Sequence, residues 1–144
     1  MLLCTKKKSV SWFTVAVGKW NGPWGKVDES ETIIQWAVRE LEEETWIQTS
    51  EQQLSLAWIL HFSFESKVER NQECSVFVFR WYEWGFVETD EMKPQRFDID
   101  KLPFENMRAD DKFRMPFLLE DKFFEFSIHA NDDGSEHSYK QIKP

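Results

Sequence analysis

Glutamates crowd into one short stretch of the chain, which reads Arg39-Glu40-Leu41-Glu42-Glu43-Glu44. On a helix Glu40, Glu43 and Glu44 share one face, whereas Glu42 points elsewhere. Like charges at this spacing repel each other, so the arrangement needs a compensating role. Converging carboxylates are typical ligands of a hard cation such as Mg²⁺ or Mn²⁺, whose charge would offset the repulsion. A solvated acidic face is the alternative, and the spacing leaves both interpretations open.

The helix that positions these carboxylates is predicted over Glu31–Thr45. Ser30 is the predicted N-cap, and the glutamates on either side of it suit the positive end of a helix. Apolar residues recur at intervals of three and four and form one stripe for a core, made of Ile34, Ala37, Val38 and Leu41.

The remaining elements are mostly strands, separated by polar turns. A second helix is predicted over Asp110–Glu120, where Pro116 must either kink the helix or lie in its first turn. A loop is predicted over Lys19–Asp28 because it contains two glycines and a proline. β-Branched and aromatic runs predict strands at Ser9–Val17, Leu54–Phe64, Cys74–Tyr82, Gln95–Ile99, Lys122–His129 and Ser135–Lys143. Strands mixed with two helices predict an α+β or α/β sandwich.

Composition limits the classes of partner. The chain has 144 residues, 41 % of them apolar and 16 % aromatic, which fits one folded domain. Its net charge of −8 makes polymeric nucleic acid an unlikely partner, because the single basic run is Lys6-Lys7-Lys8. No stretch is long and apolar enough for a signal core or a membrane span. Two cysteines are too few for a disulfide framework, so we expect a cytoplasmic protein. We also expect a monomer.

A longer pattern surrounds the glutamates. Gly25 is followed after five residues by Glu31, and after seven more by Arg39-Glu40-Leu41-x-Glu43-Glu44. This pattern resembles the box of the Nudix hydrolases at every specified position but one, where Trp46 replaces the closing glycine. The resemblance implies a Nudix fold: an α/β/α sandwich with a mixed, curved sheet between helices, forming a single domain over residues 1–144.

Segments outside the box resemble one branch of that family, the MutT-related oxidised purine nucleoside triphosphatases. The segments are Trp20-Asn21-Gly22, Val87–Pro94, Pro103-Phe104 and Met107–Asp111. The resemblance implies Mg²⁺-dependent hydrolysis of modified nucleotides such as 8-oxo-dGTP or 2-hydroxy-dATP. The products would be a monophosphate and pyrophosphate, and the role would be to sanitise the nucleotide pool.

The resemblance also assigns roles at the metal site. Glu40, Glu43 and Glu44 would hold Mg²⁺, with the Gly25 carbonyl as a further ligand. Arg39 would fix the carboxylates through charge-assisted hydrogen bonds. Glu91 matches a metal-site glutamate of the family and is a candidate general base. An ordinary loop carboxylate is the alternative for Glu91.

A second group of residues is implied to read the base. Asp110 and Asp111 match a pair in the base pocket of the branch, and two close carboxylates tend to share one proton. Such a pair would offer both a donor and an acceptor to a purine edge, although Asp is also a common helix cap. Asn21 would add an amide to the same base. Phe62 and Met92 are candidate apolar walls, or simply core residues.

The chain departs from the branch in a systematic way. Trp46 stands at the glycine that ends the helix, where a bulky residue should cost about 1 kcal/mol or force a different exit. Arg108 and Arg114 stand where the branch has tryptophan, so base stacking at position 108 would depend on a guanidinium plane. These departures keep an alternative open, a catalytically weakened Nudix-fold module that binds a nucleotide or a protein.

Overall fold

The structure, a computed structural model, describes residues 1–6, 18–23, 25–80, 85–118, 120, 122–132 and 137–143. The chain divides into two compact units. Unit 1 contains Met1–Leu54 and Phe79–Arg108, and unit 2 contains Ser55–Val78 and Ala109–Pro144. The predicted strand Ser9–Val17 lies outside the described residues. Within those residues no helix is long and apolar enough to cross a membrane.

Unit 1 contains the helix α1, Ile33–Thr45. Its N-cap is Thr32, so the prediction of Ser30 is wrong. Thr32 is the cap because it forms a capping box with Gln35. The Gln35 N–H donates to Thr32 Oγ1 at 3.3 Å, and the Thr32 N–H donates to Gln35 Oε1 at 3.0 Å. Leu41 is buried as predicted, whereas Ile34, Ala37 and Val38 are only half-buried. Trp36, which was not part of the predicted stripe, is buried as well.

Unit 1 also contains a three-stranded antiparallel sheet with the order β2-β1-β5. Its strands are β1 Leu2–Lys6, β2 Trp20–Asn21 and β5 Met92–Arg96. The prediction of a strand at Gln95–Ile99 is wrong by three residues at both its start and its end. β5 includes Pro94, and the sheet tolerates this residue because β5 is an edge strand, where a missing N–H breaks no ladder between two partners.

Unit 2 contains a mixed four-stranded sheet with the order β4-β3-β6-β7. β3 is parallel to β6, and β6 is antiparallel to β7. The strands are β3 Leu54–Phe64, β4 Gln72–Phe79, β6 Phe124–Ala130 and β7 His137–Lys143. β3 has the predicted bounds, and β4 and β6 differ from their predicted bounds by one to three residues. The predicted start of the last strand, Ser135, lies outside the described residues.

The core of unit 2 follows from the alternation of buried residues along β3 and β6. Every second residue is buried from Trp58 onward in β3 and throughout β6, and the register joins these residues directly across the sheet. The joined pairs are Trp58 with Phe124, Leu60 with Phe126, Phe62 with Ile128, and Phe64 with Ala130. The alternation fixes which side chains of β3 face the core.

The second helix, α2, runs from Asp111 to Leu118. Pro116 lies beyond its first turn, so the alternative that placed Pro116 there is wrong. Phe117 packs on the core of the same unit, with its ring centroid 4.8 Å from that of Phe124 and 5.5 Å from that of Phe126. Helices together with a mixed sheet confirm the predicted α+β class.

Candidate functional site

Arg39 is the centre of the acidic cluster on α1. Its Nε and Nη2 atoms donate to the two carboxylate oxygens of Glu31, at 3.1 and 2.7 Å. Its Nη1 donates to Glu40 Oε1 at 3.0 Å and to Glu43 Oε2 at 3.1 Å. A bidentate guanidinium contact is both stronger and more directional than a single ion pair. One side chain therefore fixes three carboxylates of the box.

Contacts within this cluster shift the pKa values of Arg39 and Glu31. Hydrogen bonding to Glu31 is the main cause that raises the pKa of Arg39, although burial works against it. The same contact lowers the pKa of Glu31, with help from the Asp28 N–H, which donates to Glu31 Oε1 at 2.9 Å. Glu31 is therefore an anchor for Arg39, and it remains ionised at neutral pH.

Gly25 leaves the space that the Glu40 carboxylate occupies. A Cβ atom added at Gly25 would overlap with all three atoms of that carboxylate. Arg39 joins the same region, because its Nη2 donates to the Lys26 carbonyl oxygen at 3.3 Å. The glycine of the box is thus required for close approach between a loop and a glutamate.

The end of α1 has a left-handed backbone in spite of Trp46. This residue is the helix C-cap with φ 62° and ψ 13°, and it is the one non-glycine residue with positive φ in the described part of the chain. Its N–H donates to the Glu42 carbonyl oxygen at 2.7 Å. Its side chain is 68 % exposed. The different exit that we considered for the chain is therefore not needed, and the cost of Trp46 is conformational.

Thr89 links the backbone of Glu44 to the backbone of Glu91. Glu44 is only 4 % exposed, and its carbonyl oxygen accepts a hydrogen bond from Thr89 Oγ1 at 3.4 Å. The same hydroxyl accepts from the Glu91 and Met92 N–H groups at 3.3 and 3.1 Å. The Val87 N–H donates to the Thr45 carbonyl oxygen at 3.1 Å. The loop that carries Glu91 is thereby fixed to the end of the box helix.

Two predicted base-reading residues lie on the sheet of unit 1. Asn21 of β2 pairs with Cys4, and Met92 of β5 pairs with Lys6, so both flank β1. Met92 is buried, and Asn21 Oδ1 accepts a hydrogen bond from the Gly22 N–H at 2.9 Å. Arg108, at the end of unit 1, is half-buried.

The other predicted base-reading residues belong to unit 2. Phe62 is buried on β3. Asp110 and Asp111 are buried at the start of α2, where both form ion pairs with Arg114. Sequence reasoning missed Arg114 as a partner of the two aspartates. Its spacing of three and four residues from them, on a predicted helix, was the signal.

The predicted metal ligands remain a prediction. In the part of the chain that is described, no group of three or more His, Cys, Asp or Glu side chains is arranged to hold a metal ion. Arg39 is the counter-ion of Glu40 and Glu43 in this arrangement. The donor set itself suits Mg²⁺, since it consists of carboxylate oxygens and one backbone carbonyl.

The fold and the box together define the class of protein. The family model described as the NUDIX domain matches residues 2–118. The chain belongs to the Nudix family. It is 40 % identical over 130 residues to an oxidized purine nucleoside triphosphate hydrolase of Danio rerio, an alignment that covers 88 % of this chain and 80 % of that protein. A protein of the same name from Mus musculus is 33 % identical over 128 residues, covering 87 % and 80 % of the two chains.

Solved structures agree with this family. A mutator MutT protein from Bacillus halodurans superposes with a TM-score of 0.80 at 25 % identity, covering 99 % of this chain and 90 % of that one. A NUDIX hydrolase from Nitrosomonas europaea, at 18 % identity, has a TM-score of 0.58 and covers 91 % and 71 % of the two chains. The predicted family and fold are confirmed.

Proposed function

We propose that this protein hydrolyses oxidised purine nucleoside triphosphates, such as 8-oxo-dGTP, to the monophosphate and pyrophosphate, and so sanitises the nucleotide pool. The observation that carries the proposal is the cluster in which Arg39 holds Glu31, Glu40 and Glu43 beside Gly25. The relatives from Danio rerio and Mus musculus bear the name of this activity.

Phosphoryl transfer suits such a cluster because it needs positioned charge more than covalent chemistry. Glu40, Glu43 and Glu44 would hold Mg²⁺, or Mn²⁺, with the Gly25 carbonyl as a further ligand. The metal, when bound, would neutralise charge on the phosphates. Arg39 keeps the Glu40 and Glu43 carboxylates in fixed positions, so that little reorganisation is needed when substrate arrives.

Water must be oriented and deprotonated as its oxygen attacks a phosphorus and the bond to the leaving phosphate oxygen breaks. We assign Glu91 as the general base that accepts the proton of this water. Its exposed side chain lies on a loop that Thr89 fixes to the end of α1, and this end of the helix carries Glu43 and Glu44. A general base held on a rigid anchor can keep the distance that proton transfer requires.

The purine would be read by a second set of side chains. Asp110 and Asp111 would form hydrogen bonds with its edge, and Asn21 would add an amide that both donates and accepts. Phe62 and Met92 would form apolar walls, and the Arg108 guanidinium would stack on the base. We also propose that residues 1–144 form one Nudix domain, because the matched region, residues 2–118, includes segments of both compact units.

A panel of canonical and oxidised nucleoside triphosphates, assayed for pyrophosphate release with Mg²⁺, tests this function. Glu44→Gln should remove most turnover, because it removes a charge from the predicted metal site with little change of shape. Glu42→Gln is the matched control, since Glu42 is an exposed glutamate of the same helix outside the cluster. Equal losses in the two variants would contradict the assignment of Glu44.

The panel also decides between an enzyme and a binding module. Calorimetry that shows nucleotide binding with intact Mg²⁺ affinity, but no pyrophosphate release from any member of the panel, would contradict the enzyme. Trp46 gives little support to a weakened enzyme, because α1 has kept the left-handed ending that the family glycine normally provides.

A further inference from the structure

Arg114 forms a buried ion-pair cluster with both aspartates of the predicted base-reading pair. Its Nε lies 2.8 Å from Asp110 Oδ2, and its Nη2 contacts Asp111 Oδ1. The exposed fractions are 1 % for Asp110, 0 % for Asp111 and 5 % for Arg114. All three groups are therefore removed from bulk solvent, where an exposed ion pair would count for little.

The guanidinium is held from a second side as well. Its Cζ lies 5.2 Å from the ring centroid of Trp58, a cation–π distance, and Trp58 is itself buried on β3. The Trp58 ring packs edge-on against Phe126, with centroids 6.5 Å apart. Arg114 is thus fixed between an aromatic surface and two carboxylates.

A fixed cation changes which protonation state the aspartates favour. Two neighbouring carboxylates in a buried site ordinarily share one proton, because two negative charges cannot both be sustained there. Arginine remains protonated in proteins, and an opposite charge within hydrogen-bonding distance favours the ionised form. Arg114 contacts both carboxylates, so it opposes protonation of either one.

We propose that Arg114 is a specificity-determining positioning residue that holds Asp110 and Asp111 ionised together. This inference rests on the proposed function and deepens it. An ionised pair accepts hydrogen bonds and cannot donate one. It therefore selects a guanine-type edge, where N1–H and the 2-amino group are adjacent donors. An adenine-type edge, where a 6-amino donor lies beside the N1 acceptor, would leave one carboxylate facing an acceptor.

Substrate selectivity is the first test. The measured quantity is the ratio of kcat/KM for 8-oxo-dGTP to kcat/KM for 8-oxo-dATP, whose edge has the 6-amino donor beside the N1 acceptor. Arg114→Gln should lower this ratio by about tenfold or more, because a site that presents the wrong hydrogen-bonding group discriminates strongly. Arg114→Lys keeps the charge and should retain most of the ratio. Lys112→Gln, which removes an exposed charge from the same helix, should leave the ratio unchanged. An equal ratio in the Gln, Lys and wild-type proteins would overturn the proposal.

A second measurement needs no substrate and no Arg114 variant. ¹³C NMR of the aspartate carboxyl carbons reports ionisation, and Asp110→Asn and Asp111→Asn assign the two signals. Both carboxyl groups should be ionised in the wild-type protein at neutral pH. A protonated signal from either would overturn the proposal. If no triphosphate is hydrolysed, the proposed function fails, while the NMR result still decides the state of the pair.

Discussion

Replacing Trp46 with glycine is expected to stabilise the protein. The left-handed backbone of Trp46, with φ 62°, costs an L-residue roughly 1–2 kcal/mol, and glycine bears no such cost. The greater freedom of glycine in the unfolded chain offsets about 0.5–1 kcal/mol of this gain. Little burial is lost, because the indole is 68 % exposed. Taking the middle of each range, the net gain in the free energy of unfolding should be about 0.75 kcal/mol.

Urea denaturation followed by far-UV circular dichroism measures this gain, and the Tm should rise by about 1–4 °C. Trp46→Ala is the matched control, because it removes the indole but keeps a Cβ in the left-handed conformation. Its stability should not exceed that of the wild type. If both variants shift the midpoint equally, or if Trp46→Gly is destabilising, backbone strain at this residue is not the cause.

Three further predictions follow from the acidic cluster and its anchors. Gly25→Ala should lower kcat/KM by about tenfold or more, because its Cβ displaces the Glu40 carboxylate; Gly22→Ala, where an added Cβ meets no atom within 4 Å, should retain full activity. Because the pKa of Glu31 is lowered in the folded protein, its carboxylate stabilises the fold above the ordinary pKa of 4.5, and this contribution is lost as the pH falls through the folded pKa. Glu31→Gln should therefore lower the urea midpoint at neutral pH, and the difference from the wild type should diminish as the pH falls through the folded pKa of Glu31; a difference that is independent of pH would contradict this reasoning. Thr89→Val should lower the free energy of unfolding by about 0.5–1.5 kcal/mol, measured by urea denaturation, because it removes the acceptor of two N–H groups that are only partly buried or exposed; an unchanged midpoint would show that the loop does not depend on this hydroxyl.

The box helix was predictable because two signals coincide there. The apolar spacing predicted a helix that ends at Thr45, as α1 does. The family pattern independently implied that Glu40, Glu43 and Glu44 lie on a common face of this helix. The start was less certain, since Ser30 and Thr32 are both good caps. Only the partner three residues later distinguishes them: Thr32 is followed by Gln35, whose side chain returns to the cap. Cap choice therefore depends on a pair of residues, and a single favourable type does not decide it.

Arg114 was harder to interpret for a different reason. A comparison with the branch treats it as a lost tryptophan, so attention falls on the missing ring. The spacing from Asp110 and Asp111 was visible in the sequence, but surface pairs at that spacing contribute little. Burial makes the ion pairs of Arg114 with Asp110 and Asp111 more important than surface pairs. Trp58 packs on the Arg114 guanidinium, although it is distant along the chain and comes close only through the sheet. Long-range packing is the information that the sequence pattern lacks.

The two glycine positions of the box differ in what they require, and this explains which departure the chain tolerates. At position 25 the absent side chain leaves room for the Glu40 carboxylate, so any Cβ would compete directly with a predicted metal ligand. At position 46 the requirement is a left-handed φ, and the side chain extends mainly into solvent. A residue there costs stability without moving a carboxylate. The chain therefore keeps glycine where the chemistry depends on space, and has tryptophan where the only cost is strain.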